Sequence, residues 1–132
     1  MKYLLDTNVI LEGLLRQKNA EQVQKFLQTV EISQMVMTDF SLHSIGVVLY
    51  KLGKEKLYID FLNDMVIDGI NICSLSIEEL MNLVRVTEKF KLDFDDAYQY
   101  AVAEKYNLKI VSFDKDFDGT ELGRSTPGEN LT

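Results

Sequence analysis

Three acidic residues stand where short apolar runs end or where a helical pattern begins. Asp6 follows the run "KYLL", Asp114 follows "LKIVSF", and Asp96 lies near the start of a helical pattern. Carboxylates that are brought together repel one another unless a cation lies between them. Mg²⁺ and Mn²⁺ prefer such oxygen ligands, and one or two ions could activate water for attack on a phosphodiester. The predicted chemistry is metal-dependent hydrolysis.

Each of these acids alone also has a purely structural explanation. Asp6 could cap a helix formed by "NVILEGLLR", since Asp is favoured at helix starts. Asp95 and Asp96 could complement the dipole of the helix that they open. The segment "SFDKDFDG", with Asp114 and Asp116, could be a solvated acidic turn. It is the coincidence of acids at several site-forming positions that favours a functional interpretation.

The apolar pattern of the chain alternates between short β-type runs and longer helical stripes. The expected strands are "KYLL", "MVMT", "INICSL" and "LKIVSF". Helical patterns separate them, among them "SLHSIGVVLYKL", "EKLYIDFLNDMVID", "IEELMNLVRVTEKF" and a helix that starts near Asp95. We therefore expect an α/β fold whose central parallel sheet is covered on both faces. Ligands of such sheets gather at the carboxyl ends of the strands, where Asp6 and Asp114 fall.

Local signals predict where several of the helices begin and end. Gly53 and Gly69 are expected to close the two helices that precede the third strand. Ser76 and Glu79 have the spacing of a capping box. Asn107 is placed to end the last helix before the final strand.

Length and composition predict one globular domain. The chain has 132 residues, with 46% hydrophobic and 27% charged residues and no internal repeat or linker, so we expect one domain spanning residues 1–132. No apolar run is long enough to cross a bilayer, and the amino terminus reaches an acid too soon for a signal peptide. We expect a cytoplasmic protein without a membrane segment. The single cysteine, Cys73, is expected to serve buried packing.

The net charge limits the kinds of nucleic-acid binding that the sequence permits. It is -7, from 21 acidic and 14 basic residues, with a pI near 4.7. Such a surface repels phosphate and argues against a general nucleic-acid coat. A nuclease of this composition would gather several acids in one site and neutralise them with divalent cations. A basic partner or local clusters of Lys and Arg would guide the substrate.

Three segments resemble the PIN domain family, notably its VapC-like ribonuclease toxins. They are "YLLDTNVI", "DDAYQYAVAEKYNLKIVSFDKDF" and "STPGENL", and the resemblance covers essentially the whole chain. It implies a PIN-like three-layer α/β/α fold with a central parallel sheet and an Mg²⁺- or Mn²⁺-dependent endoribonuclease. It further implies an RNA substrate, an antitoxin protein as a partner in a toxin–antitoxin pair, and a homodimer.

The resemblance also assigns site residues by motif. The acids implied as metal ligands and catalytic groups come from a D-T-N-like motif, a "DA" pair and a "T-x-D-x-x-F" motif, which reads "S-F-D-K-D-F" here. The matching positions are Asp6 with its polar companion Asn8, Asp96 before Ala97, and Ser112 with Asp114, and Asp116 lies nearby as a further contributor.

One acid of the family pattern is absent. The family places a Glu in a context like "T-L-A-E-L", and here "S-L-H-S-I" puts Ser44 in that slot with His43 beside it. Ser44 could hold a metal-bound water but cannot replace a negative charge. Metal affinity should therefore fall unless Asp95 or Asp39 compensates, and Asp95, which directly precedes Asp96, is the nearer candidate.

His43 and three tyrosines have both a functional and a packing interpretation. A histidine beside the site could act as a general base or metal ligand, but we favour a hydrogen-bonded helix residue. Tyr98, Tyr100 and Tyr106 could stack on bases, but their helical spacing favours core or dimer packing.

Two further functions compete with an active ribonuclease. A catalytically degenerate PIN-like domain that binds protein or RNA is favoured by Ser44 and the acidic pI. The retained acids, with Asn8 and Ser112, favour the active enzyme. An aspartyl-phosphate enzyme or receiver would explain Asp6, but the sequence lacks the second acid two residues later that such proteins often show.

Overall fold

A four-stranded parallel sheet forms the centre of the protein. We describe it from a computed structural model of the chain, over residues 1–67 and 69–131. The strands are β1 (Tyr3–Leu5), β2 (Met35–Thr38), β3 (Asn71–Cys73) and β4 (Lys109–Val111). Their order across the sheet is β3-β2-β1-β4, and every neighbouring pair is parallel. Each predicted strand is present, and the predicted parallel α/β architecture is confirmed.

Helices connect successive strands, as parallel pairing requires. Two follow β1, two follow β2 and three follow β3. They are α1 (Thr7–Leu14), α2 (Ala20–Thr29), α3 (Asp39–Lys51), α4 (Glu55–Phe61), α5 (Ile77–Met81), α6 (Leu83–Phe90) and α7 (Phe94–Tyr106).

Two hydrophobic cores lie on opposite faces of the sheet. Side chains alternate between the faces along a strand, so Tyr3 and Leu5 enter one core and Leu4 enters the other. Phe26 of α2 is fully buried in the first core, and Tyr100 of α7 is buried in the second. The sheet is thus the middle of three layers, which confirms the predicted α/β/α arrangement.

The predicted helix boundaries are confirmed at three places. Gly53 follows α3 with a φ of 69°, a left-handed conformation that favours glycine. Ser76 and Glu79 form both hydrogen bonds of a capping box at the start of α5. Asn107 ends α7 in the left-handed region with a φ of 54°.

Two predicted helices are less regular than the sequence pattern indicated. The helix predicted over 55–68 consists of α4 and a π-helical turn over Leu62–Val66, and it has ended before Gly69. Its predicted last residue, Asp68, and the chain's final residue, Thr132, lie outside the described residues.

The helix predicted over 77–90 is divided into α5 and α6 at Asn82. The backbone N–H of Arg85 donates to the carbonyl of Asn82, three residues earlier, at 3.2 Å. This tighter hydrogen bond interrupts the regular α-helical ladder at the junction.

The packing predictions hold for two tyrosines and in part for Cys73, which packs against the core on the α7 side of the sheet. Tyr98 and Tyr100 are buried in the core, whereas Tyr106 is 36% exposed. Cys73 is half-buried rather than buried, because it lies on β3 at the edge of the sheet.

Within the described part of the chain, no helix is both long and apolar enough to span a membrane.

The pairing of β1 with β4 places two sequence-distant polar residues together. Leu5 is in register with Val111, and the Asp6 N–H donates to the Val111 carbonyl at 3.0 Å. Asp6 and Ser112 each follow directly after these paired residues. Both therefore lie at the carboxyl edge of the sheet, where the sequence predicted a site.

Candidate metal centre

A cavity of about 230 Å³ opens at the carboxyl edge of the sheet. Its lining includes four carboxylates and a serine: Asp6, Asp95, Asp96, Asp114 and Ser44. These side chains come from the end of β1, from α3 and α7, and from the loop after β4. Residues far apart in the sequence thus form one acidic cavity.

The Asp6 carboxylate is held in place by four hydrogen-bond donors. Its Oδ1 accepts from the Thr7 backbone N–H at 2.8 Å and from Gln99 Nε2 at 3.1 Å. Its Oδ2 accepts from Ser112 Oγ at 2.7 Å and from Asn8 Nδ2 at 3.3 Å. Asp6 is also the N-cap residue of α1. The Asp6 carboxylate therefore caps the helix and also lines the cavity, so the two interpretations of this residue do not exclude each other.

Burial dominates the electrostatics of Asp6. It raises the pKa of this carboxyl group, and the Asp114 charge raises it further. Hydrogen bonds from Ser112, Gln99 and Thr7 oppose the rise because they stabilise the ionised form. The net pKa is raised, so a nearby positive charge would stabilise the ionised group.

Asn8 connects the start of α1 to the segment after β4. Its Oδ1 accepts from the Phe113 backbone N–H at 3.2 Å, and its Nδ2 lies 3.3 Å from Ser112 Oγ. The same Nδ2 donates to Asp6, as described above. Asn8 and Ser112 therefore position the Asp6 carboxylate rather than present an additional charge.

Asp96 is placed in the cavity by the first turn of α7. The N-cap residue of this helix is Asp93, whose Oδ1 accepts from the Asp96 N–H at 3.0 Å. Burial above all, together with repulsion from Asp114, Asp93 and Asp6, raises the pKa of Asp96 to about 8. Without a cation, Asp96 is therefore largely protonated at neutral pH.

This raised pKa predicts that the metal-free protein loses stability as the pH increases. Asp96 has a pKa of about 8 in the folded protein against 3.8 ordinarily. The folded state holds the proton more tightly, so its stabilising contribution is complete below about pH 4 and is lost as the pH rises through about 8. The pKa shift alone would give about 4 kcal/mol between about pH 5 and about pH 8. Solvent in the open cavity screens this charge, so we expect a decrease on the order of 2 kcal/mol. Thermal denaturation with a chelator measures it, and a melting temperature that rises over this range would contradict it.

The loop after β4 presents two more carboxylates. Ser112 Oγ accepts from the Asp114 N–H at 2.9 Å, and Asp114 Oδ1 accepts from the Asp116 N–H at 2.9 Å. Asp114 thereby caps a 3₁₀ turn over Lys115–Gly119. Phe117 of this turn is fully buried in the core on the α7 side of the sheet. Its burial fixes the turn and the acids that the turn carries.

Asp96, Asp114 and Asp116 form a tight carboxylate group. One oxygen from each lies within 4.8 Å of the others, a spacing that could hold a metal ion. Asp6 is not a member of this group, although it lines the same cavity and its charge acts on Asp96. The available ligands are oxygen atoms of carboxylates, which suit a hard divalent cation.

The two acids proposed to compensate for the missing Glu, Asp95 and Asp39, lie in different places. Asp95 lines the cavity beside Ser44, but it is exposed and is not in the tight carboxylate group. Asp39 is engaged elsewhere, because its Oδ1 accepts from the Tyr98 hydroxyl at 2.7 Å. Asp39 therefore does not compensate for Ser44 in this structure.

His43 lies beside the acidic cavity rather than in its lining. It is exposed on α3 and lines a neighbouring, mostly apolar depression with Val47 and Val48. Ser44 lines both this depression and the acidic cavity. The geometry gives His43 no contact with the carboxylate group.

The sequence analysis did not identify a polar cluster next to Asp6, which consists of Thr7, Ser41 and Gln99. Thr7 Oγ1 donates to Ser41 Oγ at 2.8 Å, and Gln99 Nε2 donates to the same Ser41 oxygen. Among the described residues, Gln99 Oε1 is the buried side-chain polar atom that has no hydrogen-bond partner. A signal was present in the sequence, because Gln99 follows Asp96 by three residues and thus shares its side of α7.

Comparison with protein families shows which family the chain is related to. The model of the PIN domain family matches residues 3–121. The chain belongs to the PIN domain family. The expected family is thereby confirmed, and the acidic cavity described above is the cavity of a PIN domain. A search of curated proteins gave no match.

Solved structures show the same PIN fold at low sequence identity. A toxin–antitoxin complex from Klebsiella pneumoniae has a chain with 23% identity and a TM-score of 0.74, covering 96% of this chain and 98% of that one. FitAcB from Neisseria gonorrhoeae has 19% identity and a TM-score of 0.73, with 95% and 97% covered. The sarcin–ricin-loop-cleaving toxin VapC20 of Mycobacterium tuberculosis has 11% identity and a TM-score of 0.79, with 92% and 96% covered.

Proposed function

We propose that this PIN domain is a metal-dependent endoribonuclease and the toxin of a toxin–antitoxin pair. The observation that carries the proposal is the group of three carboxylate oxygens, from Asp96, Asp114 and Asp116, within 4.8 Å of one another. Carboxylates grouped this closely repel one another, and Asp96 is buried, so the group is unfavourable unless protons or cations neutralise it. The raised pKa of Asp96 shows that this carboxyl group binds a proton more readily when no cation neutralises it.

The proposed roles of the residues follow from their positions. A divalent cation, when bound, would supply Lewis acidity and an activated water for phosphodiester hydrolysis. Asp96, Asp114 and Asp116 would hold the cation, and Asp6 would add a second source of negative charge in the same cavity. Ser112 orients the Asp6 carboxylate by its hydrogen bond of 2.7 Å and accepts from the Asp114 N–H, so it positions both acids.

Because the net charge of the protein is -7, cation binding would also help the negatively charged substrate to approach the site. RNA phosphates approaching an unneutralised acidic cavity would be repelled. Bound cations would neutralise the carboxylates at the place where the scissile phosphate must lie. The acidic composition is therefore compatible with a nuclease whose substrate binds only after the metal.

Two structural relatives support the choice of substrate and partner classes. The VapC20 structure is described as a sarcin–ricin-loop-cleaving toxin, which favours RNA as the substrate class. The Klebsiella relative is a toxin–antitoxin complex, which favours an antitoxin as the protein partner.

We further propose a cytoplasmic protein that acts as one domain over residues 1–132.

The surface of α3 and α4 supports the proposed homodimer. Val47, Tyr50 and Ile59 expose half or more of their surface there. Apolar side chains clustered at a surface commonly mark a protein interface. A second copy of this chain is the proposed occupant.

A second function is favoured by one observation. Ser44 lines the cavity where the family pattern has a Glu, so this position of the pattern lacks its carboxylate. A PIN-like domain with weakened metal affinity could act as a protein- or RNA-binding regulatory module. Metal binding and RNA cleavage distinguish this alternative from the enzyme.

The proposed function predicts metal-dependent cleavage of RNA. Protein freed of metal with a chelator is incubated with a mixed single-stranded RNA pool, with and without millimolar Mn²⁺ or Mg²⁺. We expect cleavage with added cation and none in the presence of chelator. A DNA pool of matched sequence tests the substrate class. Metal binding without RNA cleavage would contradict the enzyme and support the regulatory module.

A further inference from the structure

We propose that Gln99 supplies the oxygen ligand that Ser44 cannot, and that Gln99 Oε1 enters the coordination sphere of the cation. This inference rests on the proposed metal-dependent function. Gln99 lines the acidic cavity, yet only 3% of its surface is exposed. A long amide is thus almost completely buried beside carboxylates, at a position where an apolar side chain could fill the space.

The surroundings of Gln99 fix the orientation of its amide. Nε2 lies 3.1 Å from Asp6 Oδ1 and also donates to Ser41 Oγ. An ionised carboxylate oxygen can only accept hydrogen bonds, so the nitrogen of the amide must face Asp6. The Gln99 oxygen is consequently directed away from both of these partners.

The Gln99 oxygen has no hydrogen-bond partner in the described part of the chain. Leaving a buried acceptor unsatisfied costs about 1–3 kcal/mol, so buried polar atoms are almost always paired. The nearby acceptors of Asp6 cannot satisfy it, because an acceptor does not bond to an acceptor. A cation satisfies both the amide oxygen and the surrounding carboxylates.

Gln99 lines the same cavity as Ser44, the residue that stands in place of the missing acid. Ser41 and Ser44 lie about one turn apart on α3, and the Gln99 amide contacts Ser41 from α7. Gln99 is also one turn after Asp96, so both side chains reach the same cavity. Amide oxygens are ordinary ligands of hard cations. Gln99 would therefore restore an oxygen ligand without restoring the negative charge.

Two variants at position 99 separate ligation from packing. Gln99→Met keeps much of the side-chain volume and removes the oxygen, whereas Gln99→Glu keeps the shape and adds a charge. By calorimetric titration with Mn²⁺, we expect Gln99→Met to weaken binding about tenfold or more and Gln99→Glu to strengthen it. Ser41→Ala is the matched control, since it removes a partner of Nε2 and leaves Oε1 intact, so its affinity should change less than about threefold.

Thermal denaturation without metal completes the test. If Gln99 has only a structural role, Gln99→Met lowers the melting temperature of the metal-free protein, while the Mn²⁺ affinities of both position-99 variants stay at the wild-type value. That result overturns the inference. If Gln99→Met fails to fold, Gln99→Asn decides the question, because it keeps the amide and withdraws its oxygen by one methylene group; an Mn²⁺ affinity at the wild-type value in that variant overturns the inference.

The outcomes distinguish this inference from the proposed function. Affinity that depends on Gln99, in a protein that does not cleave RNA, supports the ligand assignment and contradicts the enzyme. Metal-dependent RNA cleavage with an affinity independent of Gln99 supports the enzyme and contradicts the ligand assignment. A wild-type protein that binds no Mn²⁺ at millimolar concentration overturns the ligand assignment whatever the cleavage result.

Discussion

Replacement of Asp96 by Asn is expected to reduce metal-dependent RNA cleavage by more than about a hundredfold. An Asp96 oxygen lies within 4.8 Å of oxygens from Asp114 and Asp116, so the substitution would leave the group with one negative charge fewer. Cation affinity, measured by calorimetry with Mn²⁺, should fall together with cleavage. The metal-free variant should be more stable than the wild type near pH 8, because a neutral amide replaces a carboxylate whose ionised form is disfavoured by burial and by repulsion from Asp114.

The matched control for this variant is Asp60→Asn. Asp60 is exposed on α4 and does not line the acidic cavity, so the same chemical change should leave cleavage and metal affinity at wild-type values. Parallel purification of the Asp96→Asn protein also reveals any contaminating nuclease. Undiminished cleavage by Asp96→Asn, from preparations in which a chelator stops the reaction, would remove Asp96 from the proposed site.

Replacement of Ser44 by Glu is expected to strengthen Mn²⁺ binding about tenfold, equivalent to about 1.4 kcal/mol. Ser44 lines the cavity beside Asp6, Asp95 and Asp96, so the substitution adds a further carboxylate to that lining. The same charge should lower the melting temperature of the metal-free protein through repulsion. The gain in stability on adding Mn²⁺ should therefore be larger than in the wild type.

Ser44→Gln separates the charge of the new side chain from its size. It has the shape of the Glu variant without the negative charge, so its Mn²⁺ affinity should rise by less than that of the Glu variant. Affinities that stay at the wild-type value in both variants would show that position 44 does not act on the cation. If Ser44→Glu cleaves RNA and the wild type does not, the wild-type protein is the degenerate regulatory module.

The sequence determined those features that depend on local pattern. Strand and helix order followed from the apolar periodicity, and the capping box at Ser76 and the left-handed Asn107 followed from short-range backbone chemistry. The placement of Asp6 and Asp114 was predictable as well, because the carboxyl ends of adjacent parallel strands meet at one edge. These inferences need no knowledge of which side chains touch.

Only the tertiary structure decided which partner each polar side chain has. Gln99 meets Asp6 across a sequence separation of 93 residues, and Asp39 is bonded to Tyr98 across 59. Periodicity shows that a residue faces inward, but the rotation and packing of α3 against α7 select its neighbours. For the same reason His43 lies outside the acidic cavity, although it is adjacent in sequence to Ser44, which lines it. Successive helical residues point about 100° apart, so sequence proximity does not place two side chains in one site.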